Sequence, residues 1–359
     1  MTLKVQEFLR NGGTIEQLAE KYAIKATKKD SLVLLKYNQI ESDFNEEIVR
    51  ECRGIILDSE DNWRVIYWFS PKFFNYGEQL AANIDWNSAR ISEKIDGSTG
   101  GLWNYKGIWY MSTSGSFGGG ELPQLKEKTF EQLFWETFNG KNLHLPLDTN
   151  KCYTFELVSI WNRIVVRYTE SDLYLLSVRD LETLQEVSIV KYAKEIGTRT
   201  PNIHLLNSIE DVVNFANTFS GIDLEGFVVS DANFNRIKVK NVKYLALAHL
   251  VDANGRFSNR RILALVRAGE QEEILSYWNE YRPQFNKISQ QYQALIDLLQ
   301  ASWDMNKDKI KVSRKEFALS VCKISFSGVL FGLLDGKFTS IKEGVDNIPL
   351  ETLADALKD

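Results

Sequence analysis

Short apolar runs bounded by polar turns dominate the first two thirds of the chain, and helical spacing takes over in the last third. Residues 31–37 form a compact apolar run rich in leucine and valine, which predicts a strand. Residues 51–58 predict another, with Arg53 interrupting its apolar character, and residues 65–69 a third. Residues 101–103 and 108–112 flank Lys106-Gly107 and predict a hairpin. Residues 151–158 alternate like a strand, and residues 164–167 and 173–178 read the same way. A second hairpin is expected from residues 224–230 and 236–240, closed over a turn at 231–235. Thr14-Ile15-Glu16-Gln17 is a capping box that opens a helix toward Tyr22. A further helix is expected over residues 125–139.

Beyond about residue 250 the strand pattern stops. Phe285, Ile288, Tyr292, Leu295 and Leu299 recur at helical spacing. Ser313-Arg314-Lys315-Glu316 is a second capping box, leading into a helix over residues 317–330. Asn347-Ile348-Pro349-Leu350 begins a last short helix, with proline early in it. The pattern therefore predicts a mixed α/β (α+β) body of residues 1–250 and an all-helical tail of residues 251–359, with the boundary between 249 and 258.

Composition narrows the function classes. The 359 residues are 44% apolar and include nine tryptophans, enough for two domains or one large one. No apolar run approaches membrane-spanning length, and the first residues carry no apolar signal region. Three scattered cysteines form neither a metal pattern nor a disulfide framework, so a reduced, cytoplasmic protein is expected. A net charge of -5 excludes a globally basic nucleic-acid coat, and contact with RNA would need a local basic cleft.

Candidate chemistry starts at Glu93-Lys94-Ile95-Asp96-Gly97-Ser98, a Lys-x-Asp-Gly element after a strand-like stretch. A lysine amine attacks only when neutral, and free lysine titrates near about 10.4, so an enzyme must lower that value by burial or by neighbouring cations. Asp96 and Gly97 are expected to form a tight turn presenting the amine. Taken alone, the element reads better as a surface turn between two strands. Glu156 interrupts an apolar strand and needs a cation or a metal as partner. Lys238 and Lys240, two apart on a strand, share a face and repel unless an anion sits between them. Lys72-Phe73-Phe74 reads either as core packing or as a shelf for a nucleobase. Residues 114–120 are glycine-rich, but no Gly-Lys-Ser/Thr closes them into a Walker loop.

In order, the chain carries Arg53-Gly54, Lys94-x-Asp-Gly, Phe155-Glu156, Glu225-Gly226 and Lys238-Val239-Lys240. This set resembles the covalent nucleotidyltransferases, the ATP-dependent ligases and capping enzymes. Tyr37-Asn38, Lys72-Phe73-Phe74-Asn75, Asn162-Arg163-Ile164-Val165, Ser177-Val178-Arg179 and Tyr244 bring it closer to the RNA ligase 1 family typified by the bacteriophage T4 enzyme. The likeness extends into the tail through Arg314-Lys315-Glu316-Phe317-Ala318. It implies an adenylyltransferase domain of antiparallel sheets over residues 1–250, and a helical domain over 251–359 that confers RNA specificity. It implies three steps: attack of Lys94 on the α-phosphate of ATP, transfer of AMP to an RNA 5′-phosphate, and sealing by an RNA 3′-hydroxyl. Tyr37, Arg53, Lys72, Phe74, Glu93, Glu156, Glu225, Lys238 and Lys240 are the implied nucleotide contacts. Phe74 would stack on adenine, the Glu93 backbone would read its amino group, and Lys238 and Lys240 would hold the α-phosphate and keep Lys94 neutral. Glu156 and Glu225 would hold a divalent cation, Mg²⁺ or Mn²⁺, directly or through water, with a ribose contact as the alternative for Glu156. The implied partners are RNA ends, tRNA among the candidates, and an end-healing kinase-phosphatase, in RNA repair.

There is one departure. The type enzyme has a lysine where Ser114 stands here, so either one step is slowed by the missing cation or another residue, such as Lys106, compensates. Two other readings follow from the same residues. A DNA ligase or capping enzyme would continue into a five-stranded barrel, which the helical tail disfavours. A non-catalytic RNA-end-binding protein would keep RNA affinity without nucleotide attachment.

Overall fold

The computed structural model describes residues 2–122, 125–248, 257–269, 271–311 and 313–357. Among them the chain divides into two compact units, one running to Ala248 and one beginning at Phe257. The boundary expected between residues 249 and 258 falls on residues 249–256, outside the described residues.

Sixteen strands are described, all in the first unit: β1 (Ile24–Lys29), β2 (Leu32–Tyr37), β3 (Arg53–Asp58), β4 (Arg64–Tyr67), β5 (Phe74–Asn75), β6 (Arg90–Glu93), β7 (Ser98–Tyr105), β8 (Ile108–Ser112), β9 (Glu121–Leu122), β10 (Leu125–Thr129), β11 (Lys151–Val158), β12 (Asp172–Asp180), β13 (Glu186–Val187), β14 (Ile203–His204), β15 (Gly226–Ser230) and β16 (Arg236–Lys240). β1–β4 make an antiparallel meander in chain order, and β9 and β10 pair alone. One five-stranded sheet runs β13-β12-β11-β7-β8 and the other β14-β6-β15-β16-β5. All their pairings are antiparallel except β16 with β5.

Period-2 burial sets the layers. In the meander, Val33, Leu35, Ile55 and Leu57 form one core with Leu3, Val5, Leu9 and Leu18, which come from the first two helices, Lys4–Arg10 and Ile15–Tyr22, and the residue before them. The alternate positions Leu32, Leu34 and Ile56 turn to the opposite face and join Tyr67, Trp103 and Cys152 in a second core. A third core lies between the β7–β12 sheet and the helices Phe130–Gly140 and Val190–Ile196. A fourth sets the helix Ile209–Ala216 against Ile91, Phe227, Val229, Ile237 and Val239. The chain passes from one five-stranded sheet to the other between β6 and β7, through residues 94–97.

Three expectations are corrected. The helix expected over 125–139 starts only at Phe130, after β10, where Thr129 and Gln132 form its capping box. Residues 164–167 are not a strand, because a side chain rather than a neighbouring strand takes the N–H groups of Val165 and Val166. In the second unit, the helix expected over 317–330 is two, Arg314–Val321 and Gly328–Leu334, separated near Phe326, whose φ is +59°. That unit is otherwise helical where described, and its longest helix, Arg282–Asn306, buries Phe285, Ile288, Tyr292 and Leu299 on one face.

Candidate active site

Lys94 stands one residue past β6, and its N–H donates to the Gly226 carbonyl at 2.8 Å. Gly226 has a φ of +147°, and a Cβ there would lie 2.1 Å from the Val239 carbonyl oxygen. Only glycine fits both conditions. At Gly97 a Cβ would lie 2.3 Å from the Leu157 carbonyl oxygen, so this glycine allows β11 to approach. Asp96 does not shape a tight turn, as the sequence led us to expect. It is buried, and its Oδ2 accepts the N–H groups of Val165 (2.9 Å) and Val166 (2.8 Å). Its Oδ1 accepts the Tyr244 hydroxyl at 2.8 Å. Asp96 thus ties the lysine segment to the 162–166 loop and to the helix Val242–Ala248.

The Lys94 ammonium donates to Glu225 Oε2 at 2.7 Å, and Lys240 Nζ lies 3.0 Å from Glu225 Oε1. The Thr99 hydroxyl donates to Glu156 Oε2 at 3.0 Å. Burial pulls the Lys94 amine down, but Glu225, Glu156 and Asp96 together carry it above its ordinary value. The three carboxylates favour its charged form in this structure, which holds no nucleotide. Burial also pushes Glu156 up to about 7, against the opposing pull of Lys94.

Lys238 is strongly depressed, to about 7, by burial first and then by Arg53, Lys94, Lys72 and Lys240. Its folded value lies below the ordinary 10.5, so between about pH 7 and 10.5 the unfolded chain binds more protons than the folded one. Its contribution to stability therefore rises with pH across that window. Lys238→Met is expected to raise the thermal midpoint at pH 7 by a few degrees, for a gain on the order of 1 kcal/mol, and to flatten the rise toward pH 9. Thermal scans of both proteins at the two pH values check this.

Arg53, Glu93, Lys94, Glu156, Lys238 and Lys240 line one cavity of about 460 Å³. Arg53 donates to the Ser70 hydroxyl at 3.1 Å, with its guanidinium over the rings of Phe69 and Phe73. Phe73 lines the cavity, with Lys238 Nζ 4.8 Å from its ring centre. Phe74 is buried, opposite Ile237 in the sheet register, and does not line it. Tyr37 and Lys72 also lie outside this lining; Lys72 Nζ sits among the rings of Phe44, Tyr37 and Phe74. The Glu93 N–H is given to the Asn202 carbonyl, and its carboxylate accepts from Asn202 Nδ2 at 2.9 Å and pairs with His204 Nε2 at 3.1 Å. Reading of an amino group by the Glu93 backbone would fall to its carbonyl. Lys106 occupies the β7–β8 turn over the Tyr105 ring and lines none of the described cavities near Lys94. Among the described residues no three His, Cys, Asp or Glu side chains are grouped to hold a metal ion. Magnesium bound with nucleotide needs only one or two carboxylates beside the phosphates, and Glu156 on the cavity wall meets that requirement.

Sequence reasoning missed Thr99, the anchoring by Asp96, and the His204–Glu93 contact, each of which joins residues far apart in the chain.

Residues 51–244 match the model of a protein family described as RNA ligase, of the T4 type 1 kind. A putative bifunctional polynucleotide kinase/RNA ligase of Autographa californica nuclear polyhedrosis virus is 30% identical over 303 residues, covering 76% of this chain and 41% of that protein. The chain therefore spans less than half the length of that relative. An RNA ligase of Rhodothermus phage RM378 is 25% identical over 389 residues, covering 88% of each. An archaeal ATP-dependent RNA ligase structure (form 2) has a TM-score of 0.46 at 13% identity, over 74% of this chain and 68% of that one.

Proposed function

Since the chain belongs to the RNA ligase family of the T4 type 1 kind, we propose that it is an ATP-dependent ligase joining RNA 5′-phosphate and 3′-hydroxyl ends, with Lys94 as the carrier of AMP. The observation that carries this reading is the Lys94 amine on the wall of a cavity it shares with Glu156, Lys238 and Lys240, held at 2.7 Å by Glu225.

Each step is a displacement at phosphorus, in which positioning and charge neutralisation dominate. ATP brings negative charge beside Lys238 and favours its protonated form. Lys94 must give up a proton before it attacks, and Glu225, which holds that ammonium, is the base nearest it. The neutral amine then forms the nitrogen–phosphorus bond, and pyrophosphate leaves with the electron pair of the broken bond. Lys238 and Lys240 hold the α-phosphate, Arg53 contacts phosphate or ribose, and Phe73 offers its ring to the base. Glu156, with Glu225 once its lysines are displaced, would hold a divalent cation that neutralises phosphate charge. The AMP then passes to an RNA 5′-phosphate, and an RNA 3′-hydroxyl displaces it. The helical second unit supplies RNA specificity, and a kinase-phosphatase that prepares ends, in RNA or tRNA repair, fits this chemistry.

The test is sealing of a 5′-phosphorylated single-stranded RNA by purified protein with ATP and Mg²⁺. Circular or joined RNA is expected. Nicked-DNA sealing alone, or a requirement for GTP, would contradict the reading.

A further inference from the structure

A separate cavity, of about 390 Å³, shares Thr99 with the Lys94 cavity. Residues 161–164 of the loop between β11 and β12 line it, with residues 113–114 and 119–122 of the stretch after β8. Ser98 and Thr99, at the start of β7, complete the lining with Phe130.

Trp161 is 38% exposed here, and Ile160 before it is 46% exposed. The loop that carries them is nevertheless pinned on both sides of the ring. The Trp161 N–H donates to the Ser159 hydroxyl at 3.1 Å, and Asn162 Nδ2 donates to the Leu157 carbonyl at 2.9 Å. Further on, Val165 and Val166 donate to Asp96, which stands two residues after Lys94. The fold thus spends hydrogen bonds on holding a large, part-exposed indole in a fixed place relative to the nucleophile. A ring that is exposed but immobile is a stacking platform, because binding a base on it costs little ordering.

The rest of the lining selects the ligand. Its described residues include one cation, Arg163, and one carboxylate, Glu121, which together make a poor trap for clustered phosphates. Four hydroxyl side chains, Ser98, Thr99, Thr113 and Ser114, can each donate or accept a hydrogen bond. Hydroxyls beside an indole suit a ribose and its base. An RNA 5′ end brings a charged phosphate and calls for several cations, whereas a 3′ end brings an uncharged 2′,3′-diol. Thr99 lines both cavities, and its hydroxyl donates to Glu156, which lines the Lys94 cavity. A diol beside Thr99 is therefore next to the place where AMP is held.

We propose that the Trp161 cavity receives the 3′-terminal nucleotide of the acceptor RNA, with its base stacked on Trp161 and its diol toward Thr99. The assignment rests on the ligase reading. In the sealing step the 3′-hydroxyl oxygen bonds to the phosphorus of the adenylylated RNA end. The bond from that phosphorus to AMP breaks, AMP leaves with its electron pair, and the hydroxyl proton passes to solvent. Arg163 is the cation for the phosphate that precedes the bound nucleotide.

The test is Trp161→Ala, with Trp161→Phe as the variant that keeps an aromatic face, each checked against the parent's thermal midpoint. The substrates are a 5′-adenylylated RNA with a blocked 3′ end and a separate acceptor RNA, so attachment of AMP to the protein is bypassed. The acceptor concentration for half-maximal sealing is expected to rise about fivefold to a hundredfold in Trp161→Ala, the range for loss of one stacked base. Trp161→Phe should recover most of that loss. An acceptor whose last nucleotide lacks its base should be penalised by a similar factor in the parent, with no further loss in Trp161→Ala. Labelling of the protein from α-labelled ATP, and transfer of AMP to 5′-phosphorylated RNA, should keep the parent's rates. An unchanged acceptor requirement would overturn the assignment, as would a parent indifferent to the missing base. So would a defect confined to transfer of AMP onto RNA, which would place the 5′ end here instead. If the parent takes no label after pyrophosphate stripping and seals no RNA, the ligase reading itself fails; a sealing parent with unaffected variants removes this site alone.

Discussion

Lys94→Arg will abolish attachment of AMP while leaving the fold intact. Arginine keeps a cation opposite Glu225, so the buried carboxylate is not stranded, but it stays protonated up to about pH 12 and cannot attack. Labelling from α-labelled ATP is expected to fall by at least about four orders of magnitude, as for loss of a nucleophile. The thermal midpoint should stay within a few degrees of the parent's. Lys94→Ala loses the same chemistry but also leaves Glu225 with one lysine partner instead of two. A labelled Lys94→Arg protein would mean that another residue accepts the nucleotide.

The second large effect is on the frame. Gly226→Ala places a side chain at a φ of +147° and 2.1 Å from the Val239 carbonyl oxygen, and the strained residue is the one that accepts the Lys94 N–H. A loss of about 3 kcal/mol or more is expected, lowering the midpoint by about 6–12 °C in a unit of this size. Gly77→Ala is the control: φ is +88°, but nothing lies within 4 Å, so only about 1–2 kcal/mol of backbone strain is expected. Equal effects of the two substitutions would show that close approach to β16 is not what requires glycine at 226.

These glycines mark the limit of what the chain discloses before it folds. The order Arg-Gly, Lys-x-Asp-Gly, Glu-Gly is legible, because each pair is local. The reasons are not, because the atoms that exclude a Cβ belong to Ser114, Leu157 and Val239. The same holds for residues 164–167. Their β-branched run reads as a strand, yet the N–H groups of Val165 and Val166 go to Asp96, 69 and 70 residues earlier. The helix start at Phe130 was legible in Thr129-x-x-Gln132, and an expected start at Leu125 hid it. The state of the nucleophile was not legible. Burial opposes the charge on Lys94, and Glu225, Glu156 and Asp96, which the chain order does not place beside it, favour that charge.

The central claim is that Lys94 carries the nucleotide. It is tested most directly by treating the protein with pyrophosphate, incubating it with α-labelled ATP and Mg²⁺, and mapping the label by peptide mass. The account predicts one AMP per chain on Lys94, removed again by pyrophosphate and passed to 5′-phosphorylated RNA on a chase. Label on any other residue, or none after stripping, would contradict it.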